Sequence, residues 1–398
     1  MAVNEAASGG VWSTVQIDGK WYRLGRFTAV SSALAITSAM ALEVLLVGAG
    51  GTGGTGGSRG GGGGGGWVRV DTVQVQPGIY TIEVGVASSA TASTVGNPSR
   101  AVGLTAPGGG AGGPSAAVGG DGGNGGGGGG SGGAAVPNLA GGAGNPGFAG
   151  GRGFGGTITQ RASGGGGGAG GAGVGGSVGL GGAAGPGRSI NFDGTLRVYG
   201  TGGRGSGPAL PAVPEGATNP GAGGDGGSSG FGAAQNGIVI VRYEITDPFL
   251  AADHPGATFW SETIDGVPYK GMTIPASAGL TSLKPLIPVD VEYLLVAGGG
   301  GAPYYQAANT GGGGAGGLLR GTTTLTAGTV YPIAVGSGGT QSATNTSPAT
   351  SGGDTTAFSL SAVGGGKGGS PRTNTISPGG NGGSGGGGNR GYAAGLGT

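Results

Sequence analysis

A single histidine, His254, sits in Asp253-His254-Pro255-Gly256, and the chain has no cysteine. That leaves little raw material for catalysis. A nucleophile–base triad has one imidazole to draw on, and a thiolate zinc site or a disulfide framework has nothing. Beside a Pro-Gly turn, His254 reads as a solvated residue between two larger segments. Gly48-Ala49-Gly50-Gly51-Thr52-Gly53 has the G-x-G-x-x-G spacing of a dinucleotide-binding loop, follows an apolar stretch, and has Asp71 further on, where such a fold would hold a ribose. That fold needs a helix after the third glycine. Positions 54–66 are nearly all glycine, each about 1 kcal/mol worse than alanine in a helix. Asp121, in Gly119-Gly120-Asp121-Gly122-Gly123-Asn124, is near a calcium-binding nonapeptide, but the aspartate is out of place and the apolar position is missing. No spacing marks a carboxylate pair for glycoside cleavage. The expectation is a protein without catalytic residues, cofactor or metal.

The remaining candidates bind rather than react. Ala302-Pro303-Tyr304-Tyr305-Gln306-Ala307-Ala308-Asn309 splits two glycine runs, and Tyr304, Tyr305, Gln306 and Asn309 are its recognition candidates. Asn145, Phe148, Arg152 and Phe154 form a second group, and Arg390 with Tyr392 a third. Aromatic rings stack on sugars or fill apolar pockets, while Arg and Asn donate to hydroxyls and carboxylates. The plainer alternative is that these rings plug the ends of glycine layers.

The elements that must carry these residues are built on glycine, 115 of 398 residues. Glycine recurs at every third position from Gly164 to Gly185, from Gly141 to Gly156 and from Gly379 to Gly391. Period three fits an extended left-handed helix with three residues per turn, one face of which is bare for a neighbouring backbone. Proline, at 22 residues, is too scarce for collagen, and the triplets are interrupted. Phased tracts alternating with β-like segments argue against a disordered linker. Such tracts bury almost no side chain, so they need a lattice in which nearly every N–H and C=O has a partner. Val174, Val178 and Leu180 must then face outward or cover a layer edge.

The chain is a tandem repeat. Trp12-Ser13, Ile17-Asp18-Gly19 and Tyr22 recur as Trp260-Ser261, Ile264-Asp265-Gly266 and Tyr269, each an Asp-Gly hairpin leading its copy. The strand Leu42-Glu43-Val44-Leu45-Leu46-Val47 recurs as Val291-Glu292-Tyr293-Leu294-Leu295-Val296, both running into glycine. Trp67–Val70 and Ile79–Val84 correspond to Leu318–Arg320 and Val330–Val335, where Pro332 predicts an edge strand. The first copy closes with Gly237-Ile238-Val239-Ile240-Val241-Arg242-Tyr243. The second shows no such strand, so either the sequence is cut short there or a partner supplies one. The expected fold is mainly β plus polyglycine-II helices, with little or no α-helix. Its parts are a leading β segment over 1–40, a glycine-rich domain over 41–249, a second leading β segment or linker over 250–290, and a second glycine-rich domain over 291–398.

Net charge is +1 with no basic block, so nucleic acid is not an expected partner. The most apolar stretch, Ala33–Val47, is too short to span a bilayer, and no membrane insertion is expected. Val291–Gly300 resembles the opening of the glycine-rich domain of bacteriophage tail proteins and tail-fibre adhesins. Gly237–Tyr243 is similar to the way those domains end. The resemblance implies stacked polyglycine-II helices with variable loops at one end that contact the host surface. It also implies a virion tail location after synthesis in the host cytoplasm, with other tail proteins and a bacterial surface glycan or protein as partners, and homotrimer formation as an option. A purely structural tail spacer is the alternative, and a cellular polyglycine surface or ice-binding protein is the second.

Overall fold

A computed structural model describes residues 3–5, 7–57, 59–88, 93–132, 138–208, 217–228, 230–249, 253–264, 266–276, 279, 282–303, 310–342, 349–371, 376–389 and 392–398. The chain divides into two compact units, Met1–Ile245 and Thr246–Thr398. The described residues contain many short strands and no α-helix.

In the first unit the leading hairpin, Val11–Ile17 and Lys20–Phe27, turns at Asp18-Gly19, both at positive φ as a two-residue turn requires. Trp12 lies across from Gly25, where any Cβ would meet the indole at 2.8 Å. Trp260 and Gly271 repeat the arrangement in the second unit. The first hairpin is part of its unit's main sheet. Its inner strand pairs with the closing strand Ile238–Glu244, which pairs in turn with the opening strand Met40–Val47, and Val68–Val75 completes the five-stranded sheet. A second sheet of Val3–Asn4, Ser31–Ile36, Gly78–Glu83, Ser99–Ala101 and Leu104–Ala106 packs on one face through Phe27, Leu34, Leu42, Val44, Leu46, Ile82 and Val239. The other face, with Leu24, Leu45, Val47 and Ile240, is covered by Phe192 and Tyr199 of the hairpin Arg188–Asn191/Leu196–Tyr199.

Asp193 pins that covering hairpin. Its carboxylate accepts from Arg26 Nη2 at 2.5 Å and Arg197 Nε at 2.8 Å. Burial alone would raise its pKa, but the hydrogen bonds from Arg197 and Arg26 outweigh burial and hold it below the usual range. A depressed folded pKa gives stability that is present above the unfolded value of about 3.9 and is lost as pH falls through the folded one. Asp193→Asn should therefore destabilise the first unit at pH 7 by about 1–3 kcal/mol. The gap from the parent should close as denaturation is repeated at falling pH below 4. A gap independent of pH would assign the loss to packing instead.

From the strand ends the glycine tracts run out into a lattice, and the tract Gly60–Trp67 shows its rule. Gly60, Gly63 and Gly66 donate to Gly227, Gly224 and Gly221, while Gly61, Gly64 and Trp67 donate to Gly113, Gly110 and Pro107. Gly62 and Gly65 donate to Gly164 and Gly167, and all eight bonds are 2.7–3.0 Å. Each third residue thus addresses the same neighbour, as a threefold extended helix requires. The tract also accepts from Gly48, Gly51 and Gly54, from Gly127 and from Gly203, so other passes surround it on its remaining sides. A Cβ on any of Gly60–Gly66 would fall 1.8–2.1 Å from a neighbouring carbonyl oxygen. An interior pass must therefore be glycine at every position, and a boundary pass only on its inner face. Val174, Val178 and Leu180 do face outward, each more than half exposed.

The period-three tracts are not single helices. Gly164–Gly185 reverses at Gly168–Gly171 and again at Ser177–Leu180, and Gly141–Gly156 reverses around Asn145–Gly147. Gly179 sits in the second of those turns at φ +68°. Nine residues separate one turn from the next, a multiple of three, so the glycine register survives the reversal and sequence phase cannot reveal it.

In the second unit, Val289–Val296 pairs with Leu318–Leu325, and Ser282–Leu283, Tyr331–Ala334, Thr355–Ala357 and Leu360–Ala362 form the companion sheet. Pro332 is therefore in an interior strand, contrary to the edge position expected. It is tolerated where the pairing with Ser282–Leu283 is only two residues long. His254 is buried between Phe249 and Phe259, at ring distances of 5.6 and 6.4 Å, and is not a solvated linker residue. Neighbouring aromatics that a local turn motif cannot indicate enclose it.

Candidate functional site

A glycine pass that leaves one strand and returns to the next makes its turn at the lattice end away from the sheets. In the second unit Val289–Val296 feeds 297–301, and 311–317 returns to Leu318–Leu325. The roots of four such loops meet. Gly301 donates to Thr350 at 2.9 Å, Gly368 donates to Gly301, Gly311 to Gly369, and Gly369 to Gly387. Thr340 and Thr350 join hydroxyls at 3.0 Å. The described residues flanking 304–309, 343–348, 372–375 and 390–391 therefore lie on adjacent passes at one end.

Tyr304, Tyr305, Gln306, Asn309 and Arg390 lie outside the described residues. Tyr392 is at this end, half exposed, with its N–H on Asn389 O. The first unit gathers its outer loops in the same way: Ser163 and Ser206 hydroxyls both donate to Gly60 O, and Gly227 donates to Gly54.

The group Asn145, Phe148, Arg152 and Phe154 is not brought together. Asn145 and Phe148 sit at the strand end of the lattice, next to Gly122–Asn124, whereas Phe154 pairs with Ala162 beside the outer Ser163. Six residues at 3.1 Å each put the two backbone positions about 19 Å apart along the pass. Arg152 and Phe148 are exposed and Phe154 is half-buried. The rise of the helix thus sets Phe154 apart from Asn145 and Phe148 along the pass.

Several polar side chains inside glycine runs prove structural. Asn124, fully buried, donates to Gly65 O at 2.8 Å and accepts from Phe148 N–H at 3.0 Å, tying three passes. Asp121 accepts from Ala143 N–H at 2.7 Å, and Asn381 does the same for Leu396 at 2.8 Å, so the calcium-like motif is a backbone clasp used in both units. Asp225 is buried against Arg204. Burial raises its pKa despite hydrogen bonds of 2.6–3.0 Å from Arg204. The signal in each case was one polar residue interrupting a run in which Cβ space is denied.

The G-x-G-x-x-G segment runs as a lattice pass, with Gly48, Gly51 and Gly54 bonded to Trp67, Gly64 and Gly61, and Asp71 pairs with Arg69. A shallow depression beside Asn236, Gln235 and Thr28 is lined by no ionisable side chain. Among the described residues no cluster of His, Asp or Glu could hold a metal ion, and no helix is long and apolar enough to cross a membrane. A family model described as a glycine-rich domain matches residues 28–244 and 280–398, from the end of the leading hairpin to the closing strand in the first unit and nearly all of the second sheet-and-lattice set. No curated protein matches the chain.

Proposed function

This chain belongs to the glycine-rich domain family, and from that premise we propose that it is a bacteriophage tail protein, a minor tail protein or tail-tip fibre, that acts by binding a host surface. The observation that carries the reading is the meeting of four loop roots at one end of the second unit's lattice. A hydrogen-bonded scaffold with its loops presented together suits recognition, since loops can vary while the passes beneath them cannot. The partners on this reading are other tail proteins and a bacterial surface glycan or protein. Tyr304 and Tyr305 supply the rings for it, and Gln306, Asn309 and Arg390 the hydrogen-bond donors. The first copy has Thr52-Gly53-Gly54-Thr55 where the second has this segment, so the rings are not needed to build the domain.

The experiment is a phage carrying Tyr304→Ala and Tyr305→Ala together. Adsorption to host cells should fall by about tenfold or more, in line with loss of two aromatic anchors, with particle yield unchanged. Loss of particles with normal adsorption by the few that form would make the segment a packing element. A tag on the chain should label the tail tip or a fibre in electron micrographs, and a labelled capsid would refute the assignment.

A further inference from the structure

The first unit's five-stranded sheet has two outer strands, Val11–Ile17 and Val68–Val75. Val68–Val75 carries the ion pair of Arg69 and Asp71, and Arg188 reaches the carbonyl of Val68 at 3.4 Å. Val11–Ile17 is different. It reads Val, Trp, Ser, Thr, Val, Gln and Ile, with neither charge nor proline. Among the described edge strands of four residues or more it alone lacks both, and its counterpart in the second unit, Thr258–Ile264, carries Glu262. Charge and proline keep an edge from pairing with another chain, because an added strand would bury the charge or lose a hydrogen bond.

The turn fixes which backbone groups this edge offers. Asp18-Gly19 closes a two-residue hairpin, so Ile17 and Lys20 exchange both of their hydrogen bonds. Counting back by twos, Val15, Ser13 and Val11 also spend their backbone groups on the inner strand. Trp12, Thr14 and Gln16 point theirs outward, and none of the three N–H groups has a partner among the described residues. These three lie symmetrically about Thr14. An antiparallel copy of the strand, turned about a twofold axis at Thr14, sets Thr14 against Thr14 and Trp12 against Gln16. It sets Val11 against Ile17 and Ser13 against Val15. Every outward N–H then finds a carbonyl, no charge is buried, and Val11, 77% exposed, gains an aliphatic neighbour.

We propose that Val11–Ile17 is a dimerisation edge that joins two copies of this chain, antiparallel, about a twofold axis at Thr14. The self-matching register is what points to a second copy. An unrelated strand would bring its own matching residues and would need no symmetry in this one. The pairing uses the same patch on both copies and so closes on itself as a dimer.

Sedimentation of the full chain at rising concentration should show a monomer–dimer equilibrium. Exchange of the Trp12, Thr14 and Gln16 amides should slow as the dimer forms. Thr14→Lys and Thr14→Glu each set like charges across the axis, and each should weaken the dimer about fivefold or more. The two variants mixed in equal amounts should recover the loss, since lysine then faces glutamate. Thr14 also accepts from Arg23 at 3.0 Å, so Gln16→Pro is a second variant. It removes an outward N–H, leaves the hairpin's own ladder in place, and should weaken the dimer too. A chain that stays monomeric, a trimer, a dimer indifferent to these variants, or charge variants that fail to recover on mixing would each overturn the proposal. Trp12, Thr14 and Gln16 amides already protected at high dilution would overturn it by giving the edge to another segment of the same chain. Protection that falls on Val289–Val296 instead would do so by placing the interface elsewhere.

Discussion

Gly63→Ala is expected to unfold the first unit's lattice, with a loss of more than about 4 kcal/mol, at the top of the range for single substitutions. One methyl group suffices because of where it would go. The new Cβ would lie 1.9 Å from the carbonyl oxygen of Gly51. That oxygen cannot retreat, since it accepts from Gly224 N–H at 3.0 Å. Gly63 cannot retreat either, because its own N–H and C=O are each bonded at 2.7 Å, to Gly224 and Gly203. Relief requires parting three passes and exposing their backbone groups. Gly57→Ala is the matched control, with open space where its Cβ would stand and no positive φ. It should be neutral or stabilising by about 0.4–1 kcal/mol through the unfolded chain. Hydrogen exchange followed peptide by peptide reads the two units separately. Retained protection in 48–66 of the Gly63 variant would reject the close-packed lattice.

Leu45→Ala and Leu294→Ala should differ by several kcal/mol although they change the same position of the repeat. Leu45 is fully buried with Leu24, Val47, Val68, Phe192, Tyr199 and Ile240, so truncation removes about 2–5 kcal/mol of packing. Leu294 is mostly exposed, and its loss should cost less than about 0.5 kcal/mol in the chain alone. Denaturant titration with exchange readout in each unit checks both. Equal losses would mean that Leu294 is covered, and the two units would then be alike where the strand order says they differ.

Two kinds of information were legible in the residues. The leading hairpins, the repeated opening strand and the closing strand could be read because Asp-Gly turns and aliphatic runs are local signals. The glycine lattice could be read because a bare face is a sterically strict demand that sequence cannot disguise. The binding candidates were less legible. Phe148 and Phe154 look like neighbours in sequence, yet an extended helix separates them by its rise. Asp121 and Asn124 sit in a run that only partly matches a calcium-binding nonapeptide, and their side chains are spent on backbone N–H groups of other passes.

What the sequence by itself determined is therefore the building material: a tandem of hairpin-led, glycine-rich units whose tracts must lie against one another, because adding a Cβ there is forbidden by contact distance. Only the tertiary structure decided where the tracts turn, since nine-residue passes preserve the same phase as an unbroken helix. It also decided that the closing strand is central to the sheet and that His254 is enclosed by Phe249 and Phe259. These outcomes depend on which backbone groups remain unpaired once the other strands and passes are in place, a property of the assembled lattice and not of any local run of residues.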